Sequence, residues 1–572
     1  MAAERSPRLS AHAVLAMRLA FLTAFVCSAF SAAASAFLLL FVRVPELQLR
    51  ELTAGLILRL GLFLVLAAAS LFGVLKLPLP ALPAEPLPEV PVSKRWRGTG
   101  LLIVLAFAAV LLVPGLDDYP WAAPDEMHHL IVAKNLAFVG EYASGSPSAG
   151  LRRFDPFDSV GPPAIVPAAL AFRCFGLGLS QARCVTAAYF LGLCALLYLL
   201  AKPVFGPRAA VLGAAFVPMA FSSIYLGRTL YGEVPALFYL VLALLLWRRA
   251  MGERPILFGL FAGCAFAIAV LTKSILLLAL FPLLGACLHD RLTERRIGAR
   301  HLLMPFLGAA GILLAWSALK HLFGGGVQEG IGATLGLYQH YLLFGFEPVA
   351  ANLRASIGAY PFAHAMLLIA LLTAILARRH DPAMLTLTLL ALFFAFWWIF
   401  FTPGQLPRYL WFSYAILALY SGALLGLMES WLAYGRRFRR VLAAILILAT
   451  VSPYAAWTLG QARELRVNKE MRDDRALAGF VQHLPANAKI ATSFYPLQKT
   501  IAFFTGREIE RGEDPFDLLQ AFDVVLARTA EALPTVTPAP FARLFIGRYT
   551  VYVKSDMLSP QSATTTQEPG RP

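Results

Sequence analysis

The sequence predicts an α-helical polytopic membrane protein of about thirteen transmembrane helices, with a small α/β domain near its C-terminal end. Hydrophobic residues fill 59% of the 572 positions and charged residues only 14%, against about 45–50% and about 25% in soluble domains. The apolar residues gather in runs close to the roughly 20 needed to cross a hydrocarbon core. After residue 460 the composition turns polar. These features exclude disorder, a coiled coil and a collagen-like chain. The net charge of +16 is no nucleic-acid footprint, because Lys and Arg sit in short clusters between apolar runs, as membrane topology requires.

Residues 1–76 carry two runs, 13–42 and 53–75, read as two extra N-terminal transmembrane helices. A Pro-rich linker follows over 77–98, where LPLPALPAEPLPEVPV favours extended chain. The transmembrane core spans 99–459, with runs at 99–115, 181–201, 209–226, 234–250, 255–272, 274–289, 302–322, 361–377, 383–401, 409–432 and 441–459. Only helices satisfy the backbone of such runs in lipid. Clusters such as Arg248–Arg249, Arg295–Arg296, Arg378–Arg379 and Arg436–Arg437 fall at alternate turns, which assigns that side, the N-terminus and the Pro-rich linker to the cytoplasm. The long loop 116–180 and residues 460–556 then lie outside. In that last segment a helix is expected over 468–484, strands at 489–494, 523–527 and 549–554, and a short helix at 516–522; this alternation suggests an α/β domain. Residues 557–572 read as a disordered tail. The six cysteines match neither a disulfide framework nor a zinc spacing.

The chemistry-bearing residues concentrate in loop 116–180 and at the outer ends of core helices. Pro124 suits the start of a helix, with Asp125 and Glu126 in its first turn, where carboxylates complement the helix dipole. Asp125 and His129 are four residues apart, and Glu126 and His129 three, so they share a face. That spacing admits a divalent cation on Asp125, Glu126 and His129. It equally admits ordinary N-terminal helix acids beside solvated histidines. On the same side of the membrane lie Arg228, Glu233, Lys273 and Arg408, each at a helix end. Ionisable residues there are costly and mark function by default, although long side chains also snorkel at interfaces.

The strings PDEMHH, AKNLAFVGEYASG, FDPFDSVGPP and FRCFGLGLSQAR, followed by GRTLYGEVPALFY, AVLTKS and PRYLWFSYAIL, resemble in their order the GT-C type glycosyltransferases that use polyprenyl-phosphate sugars. The chain is most similar to the bacterial branch related to protein O-mannosyltransferases and lipid A aminoarabinose transferases. The resemblance rests on Asp125-Glu126, Gly161-Pro162-Pro163, Phe175-Gly176 and Ala182-Arg183, and covers roughly residues 95–460. Two things depart from it: the extra helices before the core, and the His128-His129 pair.

The resemblance implies a GT-C-like catalytic core in the inner membrane. It implies a sugar donor on a polyprenyl phosphate and an envelope lipid, glycan or protein acceptor on the outer face. Asp125 is then expected as the general base, with Glu126 positioning the acceptor or a cation. Lys273, Arg228 and Arg408 are expected at the donor phosphate, and Glu233 as a second acidic site. Membrane lipids are the remaining partners expected, and nucleic acid is not one. No cofactor is called for with certainty, and that divalent cation is the one candidate. The competing reading is a polyprenyl-linked sugar flippase or other transporter, a class that should show internal repeats and broken helices near the midplane.

Overall fold

The computed structural model describes residues 94–323, 381–528 and 541–557, apart from short gaps at 147–149, 155–159, 294, 403–406, 435–436, 468–469 and 513–514. A few isolated positions before residue 71, and residues 349 and 352, are also described. The expected spans 13–42 and 53–75 lie almost entirely outside the described residues. Span 361–377, the Pro-rich stretch 77–92 and the tail after Met557 lie wholly outside them.

Among the described residues, seven helices are long and apolar enough to cross a membrane: Leu179–Phe205, Glu233–Gly252, Pro255–Thr272, Ser274–Leu292, Ala299–Phe323, Pro382–Phe401 and Arg408–Gly426. Each coincides with an expected run, and the protein is a mostly helical, multi-pass membrane protein. The described helices in chain order are α1 Lys94–Leu112, α2 Pro124–Phe138, α3 Pro162–Phe175, α4 Leu179–Phe205, α5 Pro207–Phe216 and α6 Ser223–Gly227. They continue as α7 Glu233–Gly252, α8 Pro255–Thr272, α9 Leu280–Thr293, α10 Ala299–Phe323, α11 Pro382–Phe401, α12 Trp411–Tyr434 and α13 Arg437–Val467.

The expected span 209–226 is not one helix. It breaks into α5, a 3₁₀ turn at Val217–Met219 and the short α6. Pro218 has no N–H to continue the ladder, and Ser222 takes a positive φ of 58°. The break is satisfied locally. Ser223 Oγ donates to Val217 O at 2.7 Å, and Trp411 Nε1 donates to Ser223 Oγ at 2.9 Å. The span at 274 also opens as a 3₁₀ helix, Ser274–Ala279, before α9 begins.

The chain folds as two compact units. The first comprises Met1–Leu111, Tyr189–Leu226 and Glu233–Leu459; the second comprises Leu112–Ala188, Gly227–Gly232 and Gly460–Pro572. In the first unit α8 packs closely on α10. A Cβ at Gly263 would lie 1.8 Å from Pro305 O, and one at Gly308 would lie 2.2 Å from Leu260 O, so glycine is required at both. Gly259 and Gly263 give the small-residue spacing that lets membrane helices approach at backbone distance. At one end of the same unit Arg248 NH1 pairs with Asp381 Oδ2 at 3.1 Å, while Asp381 Oδ1 caps α11.

The second unit holds a hairpin, β1 Ala143–Ser146 with β2 Gly150–Arg153, and a five-stranded sheet. The sheet elements are α14 Glu470–Gln482, β3 Ile490–Thr492, α15 Tyr495–Thr505, β4 Glu510–Arg511, α16 Pro515–Ala521, β5 Val524–Arg528, β6 Phe541–Ile546 and β7 Tyr549–Lys554. Strand order is β4-β3-β5-β7-β6; β3 runs parallel to β4 and β5, and β7 is antiparallel to β5 and β6. Alternation along β5 and β7 sends Val524, Leu526, Tyr549, Val551 and Val553 to the face covered by Leu477 and Val481 of α14 and Ile501 of α15. Val525 and Tyr552 point to the opposite face, against Leu518 and Leu519 of α16. A separate apolar cluster joins α2 and α3 to Met471 and Phe503. The C-terminal sheet layer therefore packs on the loop segment that carries Asp125.

Candidate active site

The second unit places Asp125 and Glu126 at the start of α2, behind Pro124, with no side-chain cap on Ala123. The two adjacent acids meet opposite surroundings. Asp125 is exposed, whereas Glu126 is fully buried. Glu126 forms a fork with Arg183, which is also fully buried: Arg183 Nε donates to Oε1 at 3.0 Å and NH2 donates to Oε2 at 2.8 Å. The backbone N–H of Leu230 reaches the same Oε1 at 3.2 Å. Arg183 also donates from NH1 to Leu116 O at 2.7 Å and from NH2 to Pro120 O at 2.8 Å. One ion pair thus ties together α2, the start of α4, loop 116–120 and segment 227–232. Both carboxylate oxygens of Glu126 are taken up by protein donors.

The cation site considered for Asp125, Glu126 and His129 does not form. Among the described residues no three His, Cys, Asp or Glu side chains group as a metal site. Glu126 turns to Arg183, and His129 Nδ1 donates to Leu230 O at 2.9 Å. The i, i+3 spacing brought the side chains to one helix face, but buried partners on neighbouring segments claim them individually.

Arg228 belongs to the same scaffold. It is fully buried, with Nε donating to Leu112 O at 2.8 Å, NH1 to Tyr119 O at 3.2 Å, and NH2 to Pro114 O. Burial pushes its guanidinium down to about 10, so it stays charged at neutral pH. The loop between α1 and α2 is thereby wrapped around two arginines, 228 and 183. Further along that loop, Tyr119 OH shares its one hydrogen between Gln461 Oε1 at 3.0 Å and Glu464 Oε2 at 2.9 Å, and Trp121 Nε1 donates to Asp474 Oδ2 at 3.0 Å. Asp118 pairs with Arg472 at 3.3 Å and with Arg475. Partial burial pushes the Asp118 carboxyl up, but the two guanidinium groups outweigh it and hold it below the usual carboxylate range.

The first unit brings Glu233, Lys273 and Arg408 together. Glu233 opens α7, Lys273 is the residue at which α8 ends, and Arg408 sits in the 3₁₀ turn before α12. Lys273 Nζ lies 3.3 Å and Arg408 Nε 3.9 Å from Glu233 Oε1. Both Glu233 oxygens are buried and neither takes a hydrogen bond among the described residues. Tyr409 contributes its ring face, 5.9 Å from Lys273 Nζ and 5.3 Å from Arg408 Cζ. Among the described residues, two cations thus face one carboxylate in a site of low exposure. Of the three residues expected at a phosphate, Lys273 and Arg408 share this cluster, while Arg228 is committed to backbone carbonyls of the other unit.

Arg183 is a member of this site to which the sequence alone assigns no role. It stands in the sequence as part of the Ala182-Arg183 string and as a charged residue at the mouth of an apolar run, and its partner lies 57 residues away in sequence.

Residues 162–319 match the family model described as dolichyl-phosphate-mannose-protein mannosyltransferase. No curated protein matches the chain. Among solved structures, ArnT from Cupriavidus metallidurans bound to undecaprenyl phosphate is similar at 14% identity and a TM-score of 0.55, covering 82% of this chain and 100% of that one. The same protein in its apo state is similar at 16% identity and a TM-score of 0.56, covering 81% of this chain and 100% of that one. At these identities the likeness is one of fold.

Proposed function

We propose that this chain, a glycosyltransferase of GT-C type similar to ArnT and the protein O-mannosyltransferases, transfers a sugar from a polyprenyl-phosphate donor to an envelope lipid, glycan or protein acceptor on the outer face of the cytoplasmic membrane. The observation that carries this reading is the Glu233 cluster, where Lys273 and Arg408 converge on one buried carboxylate and set two cationic side chains side by side, the arrangement a phosphate would use. Undecaprenyl phosphate, the ligand bound by ArnT from Cupriavidus metallidurans, has the chemistry such a cluster would hold.

In the proposed reaction Asp125 takes the proton of the acceptor hydroxyl. The acceptor oxygen attacks the anomeric carbon as the bond from that carbon to the phosphate oxygen breaks. The polyprenyl monophosphate departs with the electron pair, and the anomeric centre inverts. Lys273 and Arg408 stabilise the charge that develops on the leaving phosphate, where fixed cations at low exposure act most strongly. Glu233 holds the two cations in register before the donor arrives, because a buried pair of like charges would otherwise repel. Glu126 and Arg183 act by position, since their polar atoms face each other and the backbone. They fix the first turn of α2 and hence the Asp125 carboxylate. We assign Arg228 the same scaffold role, in place of phosphate binding. The proposed topology puts residues 460–556 and the loop 116–180 outside the membrane.

The test is transfer from a synthetic polyprenyl-phosphate sugar by the protein in liposomes, alongside mass spectrometry of envelope lipids, glycans and proteins with and without the chain. Transfer that persists in Lys273→Met at the wild-type rate and donor KM would remove the phosphate assignment.

A further inference from the structure

The sheet of the second unit carries a feature unused by the proposed transfer. The chain leaves β3 through α15 to reach β4 on one side, whereas after β5, on the other side of β3, the next strands β6 and β7 lie further out on that side. The connections therefore depart in opposite directions from the carboxyl ends of β3 and β5. In open α/β sheets such a switch point opens a crevice, and ligands bind there.

The residues at this point suit an anion. Ser493 and Phe494 follow β3 directly, and Arg528 is the last residue of β5. The turn after β3 is fixed by Thr492, whose Oγ1 donates to Leu526 O at 2.8 Å and accepts from Phe494 N at 3.1 Å. Arg528 Cζ lies 3.9 Å from the centre of the Phe494 ring, and that ring stacks on Trp121 at 6.4 Å between centroids with 20° between planes. A guanidinium held on an aromatic face keeps its N–H edge in a set direction. The Ser493 Oγ and Arg528 Nε atoms are both buried and have no hydrogen-bond partner among the described residues.

The neighbouring arginine shows the contrast. Arg548 lies over the Trp121 ring at 5.7 Å and is paired with Glu470 and Asp474, both at 2.8 Å. Asp474 is also engaged by Tyr549 OH and Trp121 Nε1. Arg528 has no carboxylate among the described residues. A buried donor without an acceptor calls for an explanation, and a hydroxyl and a guanidinium nitrogen both left so at a switch point give one.

We propose that Arg528 and Ser493 form an oxyanion site for a phosphate monoester at the carboxyl ends of β3 and β5. The guanidinium supplies charge and planar donors, Ser493 supplies a hydroxyl donor, and the Phe494–Trp121 stack shields the pair from water on one side. The phosphate is either a lipid headgroup or a free phosphate ester such as a sugar phosphate. The site is independent of the donor phosphate site at Lys273 and Arg408.

The experiment is calorimetric titration of inorganic phosphate and glucose 1-phosphate into the full chain in detergent, with a parallel titration in nanodiscs containing phosphatidic acid. The probes meet wild type, Arg528→Gln and Ser493→Ala, these three with Lys273 and Arg408 intact, and Lys273→Met as the variant of the donor site. Losing a charge-assisted hydrogen bond should weaken this site by roughly tenfold or more, while the donor phosphate site stays as in wild type. Binding of the soluble phosphates identifies a free ester, and binding confined to phosphatidic acid identifies a headgroup. Arg528→Gln that binds every probe as wild type does overturns the proposal, and so does a wild-type chain whose only phosphate binding is lost in Lys273→Met. If Arg528→Gln melts early, Ser493→Ala decides: weaker binding at wild-type melting temperature supports the site, and unchanged binding rejects it.

Discussion

Replacing Glu126 with Gln should injure the fold before it injures the chemistry. Glu126 and Arg183 are both fully buried, and the carboxylate accepts three hydrogen bonds, two of them from the guanidinium. Removing one partner of a buried pair costs about 3–5 kcal/mol, because the other charge stays behind uncompensated. Gln keeps the size and one acceptor oxygen, and Arg183 keeps Leu116 O and Pro120 O, so the lower end, about 3 kcal/mol, is expected. That is a large part of the roughly 5–15 kcal/mol that holds a domain together. It corresponds to a melting shift of about 6–12 °C for a unit of this size. Arg183→Met should be worse, since it strands a buried carboxylate and two carbonyls, each orphan costing about 1–3 kcal/mol. The double variant should lose less than the sum of the two. The assay is thermal unfolding in detergent for the two single variants and the double variant, with transfer measured at matched folded protein. A Glu126→Gln chain that melts like wild type yet transfers nothing would refute this reasoning, because Glu126 would then act on substrate directly.

Lys273→Met should lower transfer by roughly 10²-fold, the usual cost of one fixed donor at a developing charge; kcat and donor KM measured together check it. Asp118 gives a pH signature. Its carboxyl is held low in the folded state by Arg472 and Arg475, so its stabilisation is present above the ordinary carboxylate range near 4 and fades as pH falls through the depressed folded value. Asp118→Asn should therefore destabilise at neutral pH, with the difference from wild type shrinking only in acid; a difference constant from pH 7 to pH 2 in melting experiments would contradict the pairing. A reporter active only in the cytoplasm, fused after Asp556, should be silent, and a strong signal would reverse the proposed topology.

The transmembrane core was legible because hydrophobic length is a local property. Pro255–Thr272 falls on the expected residues, and Glu233–Gly252 differs by one or two at each end. The span over 209–226 misled because its composition is apolar throughout, while the break depends on Pro218 and on the positive φ at Ser222. In the C-terminal segment, β7 matches its expected range and the helix at 470 begins two residues later than expected. The helix Tyr495–Thr505 and the strand Phe541–Ile546 were missed. The first starts behind a run read as strand, and the second gains its strand character from pairing with β7. Site residues followed the same rule. Glu126 and Asp125 were visible as helix acids, but which one would be buried was decided by Arg183, far away in sequence. The clustering of Glu233 with Lys273 and Arg408 depends on three helix ends that no local pattern connects.

The most direct test of the account is the rate of sugar transfer by Asp125→Asn from a polyprenyl-phosphate donor in liposomes, at matched levels of folded protein. Asp125 is exposed on the first turn of α2, so its replacement should change stability by under about 0.5 kcal/mol. The carboxamide keeps the shape but cannot take the acceptor proton, and losing a positioned base lowers the rate by about 10²–10⁴-fold. The account predicts that loss with an unchanged melting temperature. Turnover near the wild-type rate would contradict it and remove Asp125 as the base.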